Sequence, residues 1–302
     1  MPVILFGDVL GHVFSFMETY ELIRTCTLVN REWNYVLKTL PHSWGNTLML
    51  NPQAMLYAYR PHEQSFPYAW QRIIRLEYHR LWPDRILIHL SKILINLREI
   101  SFNGNCLITG NSLHHLSKLP IVHISFHDCR QISDSSLVAL KGLKLKYLDL
   151  FKCSKLSDES VQKHISQFPL EYLSVRLCQR ITFESIKYLP RSLKYLDFYG
   201  HGLNGDKAHQ FEQSNLNLER LSIRGGNINE QILRFLLRMT NLKCLNIINI
   251  ISYDKEIVED MLRPTLCDMI GYEYTQSFSF SHHICFTNCM QRIEIFNHAR
   301  SI

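Results

Sequence analysis

Apolar residues recur along this chain in one frame, with a near-constant spacing. Its central members are Leu76, Ile100, Ile124, Leu148, Leu173, Leu196, Leu221 and Leu245, separated by 24, 24, 24, 25, 23, 25 and 24 positions. A further apolar residue stands two positions after each of them, as in Ile100 and Phe102, Leu148 and Leu150, or Leu196 and Phe198. Eight such registers define a structural repeat, and the alternation within each predicts a short strand. A second apolar anchor then precedes a polar residue: Ile108 and Thr109, Ile132 and Ser133, Leu156 and Ser157, Ile181 and Thr182, Leu203 and Asn204, Ile228 and Asn229. Ser, Thr and Asn there can accept a hydrogen bond from the free amides of a first helical turn, so a short helix is predicted to begin at each. One strand and one helix per ~24 residues cannot bury their own apolar face, so the units must stack. The predicted fold class is α/β: a curved solenoid with a parallel sheet and outer helices, preceded by a small all-α module.

Within each strand the central residue and the one two positions later face the core, and the residues flanking them face the other side of the sheet. The position before the centre reads Arg75, Glu99, His123, Tyr147, Tyr172, Tyr195, Arg220 and Cys244. Three positions after it come His79, Asn103, His127, Phe151, Arg176, Tyr199, Arg224 and Ile248, and between them runs a small or acidic column, Glu77, Ser101, Ser125, Asp149, Ser174, Asp197, Ser222 and Asn246. The middle repeats thus bring Tyr147, Phe151, Tyr172, Arg176, Tyr195, Tyr199, Arg220 and Arg224 onto one concave patch. Tyrosine suits a pleated surface for its own sake, but aromatic residues with arginine are also the composition of protein-interaction hot spots. Arg176, Arg220 and Arg224 suit an acidic or phosphorylated peptide through bidentate contacts.

The repeat does not cover the whole chain. In residues 1–45 the apolar spacing is helical and predicts three short helices. Residues 46–70 read as a connecting first capping repeat, with a strand over Leu48, Met49 and Leu50 and a helix from Gln53 to Tyr59. The solenoid spans 71–250. Residues 251–302 read as a carboxy-terminal cap, with a helix from Asp254 to Leu262 and strands at Ile270 to Tyr274 and Arg292 to Phe296; an uncapped last repeat would leave its core open.

Composition narrows the function classes. Of the 302 residues 46% are hydrophobic, ample for a continuous core. The apolar opening from Met1 to Phe6 has no basic flank and meets Asp8 at once, so no signal peptide is expected, and no apolar run reaches a membrane span. Nine cysteines, spread from Cys26 to Cys289, form no compact even-numbered framework, and reduced thiols are expected. A net charge of +6 without a run of five basic residues gives no reason to expect nucleic acid. Phosphate loops, nucleophile elbows, a His-Glu-x-x-His element and Cys-x-x-Cys pairs are all absent, so neither catalysis nor a cofactor is expected. His282, His283, Cys285 and Cys289 could attract a metal but lack a second ligand pair at a recognised spacing, and no metal ligand is assigned.

Cys129, Cys153 and Cys178 each lie five residues after their central apolar residue, followed by Ile132-Ser133-Asp134, Leu156-Ser157-Asp158 and Ile181-Thr182-Phe183. This resembles the cysteine-containing class of leucine-rich repeat, with Asn105, His201, Gly226 and Ile250 in the cysteine's place in looser members. Thiols at equivalent positions form a ladder, one per turn, as small buried side chains. Residues 5–17 and 21–33 resemble the F-box: Leu5, Phe6, Asp8, Val9, Leu10, Val13, Phe14 and Ser15, then Leu22, Val29, Arg31 and Trp33, with Trp44 beyond. Phe6 stands where the family usually has Pro, and Asn30 replaces a common Cys. The resemblance implies an adaptor of an SCF-type ubiquitin ligase, working in cytoplasm or nucleus. Its F-box would bind a SKP-family linker, and through it a cullin scaffold, by Leu5, Phe6, Val9, Leu10, Val13, Phe14, Leu22, Val29 and Trp33. The concave repeat face would hold a protein substrate. Two alternatives stay open: the first 45 residues could be only a helical cap, and the repeats could bind protein without ubiquitin transfer.

Overall fold

Each repeated frame folds as one strand, and the strands lie parallel and in register. In this computed structural model the residues described are 47–50, 73–79, 83–104, 107–201, 203, 210, 214, 216–225, 231–232, 236, 239, 241–242, 244–248, 282–287 and 292–297. The F-box-like segment, with Leu5, Phe6, Val9, Leu10, Val13, Phe14, Leu22, Val29 and Trp33, lies outside them, as do the expected helices at 53–59 and 254–262 and the strand at 270–274. The chain forms two compact units, residues 1–145 and 146–302.

In the first unit β1 (Thr47–Leu50), β2 (Arg75–His79), β3 (Glu99–Asn103) and β4 (His123–His127) form a parallel run that places Leu48 beside Leu76, Leu76 beside Ile100 and Ile100 beside Ile124. In the second, β5 (Tyr147–Asp149), β6 (Tyr172–Val175), β7 (Tyr195–Tyr199), β8 (Arg220–Arg224) and β9 (Cys244–Ile248) align Leu148, Leu173, Leu196, Leu221 and Leu245. Within each unit the predicted registers are therefore the observed ones. Two antiparallel strands follow, β10 (His282–Thr287) on β9 and β11 (Arg292–Asn297) on β10. The pattern anticipated β11; β10 carries the His282, His283 and Cys285 cluster and lacks the repeat's frame.

Stacking like on like fills the core. Leu76, Ile100 and Ile124 in the first unit and Leu148, Leu173, Leu196 and Leu221 in the second are almost wholly buried. The column two positions on is aromatic in the first unit: Tyr78 meets Phe102 edge-on at 5.4 Å between ring centroids, and Phe102 stacks on Phe126 at 5.0 Å. In the second unit Leu150, Val175, Phe198 and Ile223 take the same place. Strand entry is shared as well. The Ile74 carbonyl accepts from the Arg98 and Glu99 amides, and Lys146 and Glu171 carbonyls each accept from two successive amides of the next repeat.

The returning segments are short helices or single 3-10 turns. Unit one has α1 (Asp84–Ile93), α2 (Gly110–Leu113) running into a 3-10 turn at His114–Lys118, and α3 (Asp134–Leu137) running into Val138–Leu140. Unit two has α4 (Asp158–Lys163) followed by Ile165–Gln167, and a purely 3-10 segment at Phe183–Tyr188. The larger rise of the 3-10 form lets few residues span the return. The predicted caps are in place: Thr109 Oγ1 accepts from the Asn111 amide, Ser157 Oγ from Glu159 and Thr182 Oγ1 from Glu184, while the Ser133 amide donates to Ser136 Oγ. Asn204 and Asn229 lie outside the described residues. At α1 no polar cap announces the start; Pro83 precedes it, where the missing amide is harmless.

Caps also join one repeat to the next. The Asp158 carboxylate at the start of α4 accepts from the Thr182 amide and from Thr182 Oγ1, each at 2.7 Å. In the first unit Asp84 does the same for Thr109 and also takes the Ser112 hydroxyl at 2.7 Å. At the other end of the strands the backbone turns left-handed: Gly104 and Asp128 in the first unit have φ of 70° and 51°, and Lys152, Leu177 and Gly225 in the second have 58°, 57° and 71°, while the equivalent Gly200 does not. This turn precedes the cysteine position, and Cys129, Cys153 and Cys178 beyond it are free thiols with no exposure. Cys178 Sγ donates to the Leu150 carbonyl at 2.8 Å, and burial pushes its pKa up to about 12.

Two substitutions test this framework. Asp158→Ala removes two inter-repeat hydrogen bonds to a charged group and is expected to cost about 2 kcal/mol, read by urea denaturation; exposed Glu159→Ala is the control. Leu177→Gly relieves a left-handed leucine and is expected to raise stability by up to about 1 kcal/mol, whereas a β-branched Leu177→Val lowers it.

Candidate functional site

The strands of the second unit expose one face of their sheet to side chains other than the core's. Its first row lies at the amino-terminal ends of the strands, where Tyr147, Tyr172, Tyr195 and Arg220 occupy the same register on β5, β6, β7 and β8. The rings stack: Tyr147 on Tyr172 at 3.9 Å and 7°, Tyr172 on Tyr195 at 4.4 Å and 8°. Such contacts add ~0.5–1.5 kcal/mol per pair beyond burial. Because the ring faces are spent on one another, the row presents edges and hydroxyls outward. Burial first, then the neighbouring Tyr147 hydroxyl, raises the Tyr172 pKa strongly; burial also raises that of Tyr147. Arg220 ends the row, exposed and without a partner among the described residues.

The second row alternates. Phe151, Arg176, Tyr199 and Arg224 follow at the carboxy-terminal ends, and the Arg176 guanidinium lies 5.0 Å from the Phe151 ring centroid. Tyr199 inclines against His201 at 4.4 Å and covers Gly225, where a Cβ would stand 3.1 Å from the ring. That glycine is needed twice, for its positive φ and for the ring above it.

Between the rows the sequence pattern places a small or acidic column on the open face. The structure buries it instead: Asp149, Ser174, Asp197 and Ser222 are all at most 6% exposed, because the flanking rings and guanidiniums close over them. The consequence is sharpest at Asp197. Arg224 Nε hydrogen-bonds its Oδ1 at 3.3 Å, and Arg176 Nε stands 3.4 Å from its Oδ2, an ion pair without hydrogen-bond alignment. Two of the arginines expected to stand ready for an acidic peptide are thus held by one buried carboxylate from the strand between them. Burial raises the Asp197 pKa above its ordinary value, against the lowering pull of Arg224 and Arg176.

All eight predicted residues therefore lie on one face of one unit. Sequence reasoning missed Asp197 as its organiser, although the signal was available: an acid in the middle column with arginines two positions further on in both neighbouring strands. The equivalent face in the first unit is differently furnished. There Arg75 Nε meets Glu99 Oε2 at 2.6 Å and His123 reaches Ser125 Oγ at 3.4 Å. No group of three or more His, Cys, Asp or Glu residues among those described could hold a metal ion, and none of the described helices is long and apolar enough to cross a membrane.

The strands, caps and cysteine ladder give the described residues an α/β fold of the leucine-rich-repeat solenoid type. No protein-family model matches the chain, and no curated protein does. Among solved structures, a chain in the crystal structure of the Rad7 and Elc1 complex in yeast is similar, at 14% identity and a TM-score of 0.39, with 54% of each chain covered. This chain thus spans about half the length of that neighbour.

The raised Asp197 pKa has a sign that can be checked. A carboxyl whose folded pKa exceeds its unfolded value stabilises the fold most at low pH, and loses that contribution as pH rises through the folded value. The stability of the wild type minus that of Asp197→Asn should therefore fall as pH rises from about 4 to about 7, measured by chemical denaturation at constant ionic strength. A rise would mean that the guanidiniums, not burial, dominate.

Proposed function

We propose that this protein is a non-catalytic substrate adaptor of an SCF-type ubiquitin ligase, in which the amino-terminal segment binds a SKP-family linker and the repeats bind a protein substrate. The observation carrying the binding half is the assembly of three stacked tyrosines and three arginines on one sheet face of the second unit. Ring stacking accounts for the tyrosines only in part and not for the arginines among them, and Tyr and Arg are among the residues enriched in hot spots. The ligase half rests on the F-box resemblance of residues 5–33. The linker would bring the cullin scaffold, and the site of action would be the cytoplasm or nucleus. Residues Leu5, Phe6, Val9, Leu10, Val13, Phe14, Leu22, Val29 and Trp33 would meet the linker.

Two variants separate the halves. Tyr172→Ala with Arg176→Ala is expected to abolish substrate capture and leave the linker bound; Leu10→Asp with Val13→Asp is expected to do the reverse. Proximity labelling with and without proteasome inhibition reads the first, and co-purification of linker and cullin reads the second. Proteins that lose labelling together with the linker in both variants would refute the division of labour. Linker without cullin would leave a binding module that transfers no ubiquitin.

A further inference from the structure

The Arg176, Asp197 and Arg224 cluster has properties beyond those of a general hot spot. The two guanidiniums are anchored by their Nε atoms on opposite oxygens of one carboxylate, itself 3% exposed. Their terminal nitrogens make no hydrogen bond among the described residues, although the Arg176 guanidinium lies over the Phe151 ring, and the buried Arg176 Nε makes no hydrogen bond either. Each side chain is about one third exposed, 32% and 28%. Two forks are thus fixed in place with their outer donors unused, which is the arrangement that binds a planar oxyanion at low entropic cost. Tyr199 lies on the strand between them.

Charge decides which oxyanion. Two guanidiniums against one carboxylate leave a single positive charge uncompensated. One further carboxylate cancels it; a phosphomonoester dianion would add excess negative charge beside a buried acid. The other acid of the face, Asp149, points the same way. It lies two strands from Asp197 and takes the Phe151 amide at 3.1 Å, and over the whole face Arg176, Arg220 and Arg224 against Asp149 and Asp197 again leave one positive charge.

We infer that Arg176 and Arg224, held by Asp197, form a receptor for a single carboxylate side chain, an Asp or Glu of an extended substrate peptide lying across the tyrosine row. This rests on the proposed use of the face for substrate. Backbone and aromatic contacts along Tyr172 and Tyr195 would supply affinity common to many peptides, and the arginine pair would fix the register by demanding an acid at one position.

The test uses the full chain and a random peptide display library, which contains no phosphorylated residue. Selection on the wild type is expected to enrich peptides with Asp or Glu at one fixed position. Selection on Arg176→Gln/Asp197→Asn/Arg224→Gln, which removes the buried acid together with its partners and so leaves no unpaired charge, is expected to keep other preferences and lose that one. The conservative pair Arg176→Lys/Arg224→Lys, which keeps charge but loses the forks, guards against misfolding of the triple variant. A synthetic selected peptide should weaken about tenfold or more when its acid becomes the amide, and phosphoserine in its place should bind no more tightly than the acid. Peptides selected equally by all variants, or without a fixed acid, overturn the receptor while leaving the proposed function standing. A gain of about tenfold or more with phosphoserine overturns the carboxylate assignment in favour of phosphate. If neither protein selects any peptide, the substrate face itself is refuted.

Discussion

Parallel registration of like with like is the constraint from which everything else in this molecule follows. Within each unit, each repeat strand hydrogen-bonds the next with no offset, so a residue type repeated every 23 to 25 positions becomes a column. Apolar columns become core, cap residues become a chain of joints such as Asp158 to Thr182, and whatever occupies the remaining columns becomes a row on the sheet face. The spacing varies by a residue either way without disturbing the strands, since the returning turns absorb the difference. No single repeat could hold its side chains in this order by itself; the order is a property of neighbours.

That constraint explains why the sheet face has the chemistry it has. Tyrosines placed one above another at the strand spacing must stack, and once stacked they shield the polar column beside them. The shielding is what raises the proton affinity of Asp197, on which its two arginines are anchored. Aromatic stacking, burial of the acid and orientation of the guanidiniums are therefore one arrangement seen from three sides.

Much of this was legible in the sequence because register leaves a one-dimensional trace. The central leucines and isoleucines give the strands, and Thr109, Ser133, Ser157 and Thr182 give the helix starts. Cys129, Cys153 and Cys178 mark the bend. Three things were less legible, for physical reasons. The α1 start has Pro83 in place of a hydrogen-bonding cap. The β10 strand pairs antiparallel and so carries no repeat frame. The burial of Ser174 and Asp197 depends on the size of side chains in adjacent strands, which alternation within one strand does not report. Asp197 was assigned to an open column when its neighbours close that column off.

The left-handed backbone at the strand ends has a further meaning. Gly104 and Gly225 adopt it freely, whereas Asp128, Lys152 and Leu177 are held there at a conformational cost. Strained backbone persists only where its surroundings over-determine it. Lys152 and Leu177 directly follow Phe151 and Arg176 in the chain. The turns beside this face are thus held by their surroundings against their own preference, so packing beneath the face and the position of Phe151 and Arg176 on it are linked through the backbone.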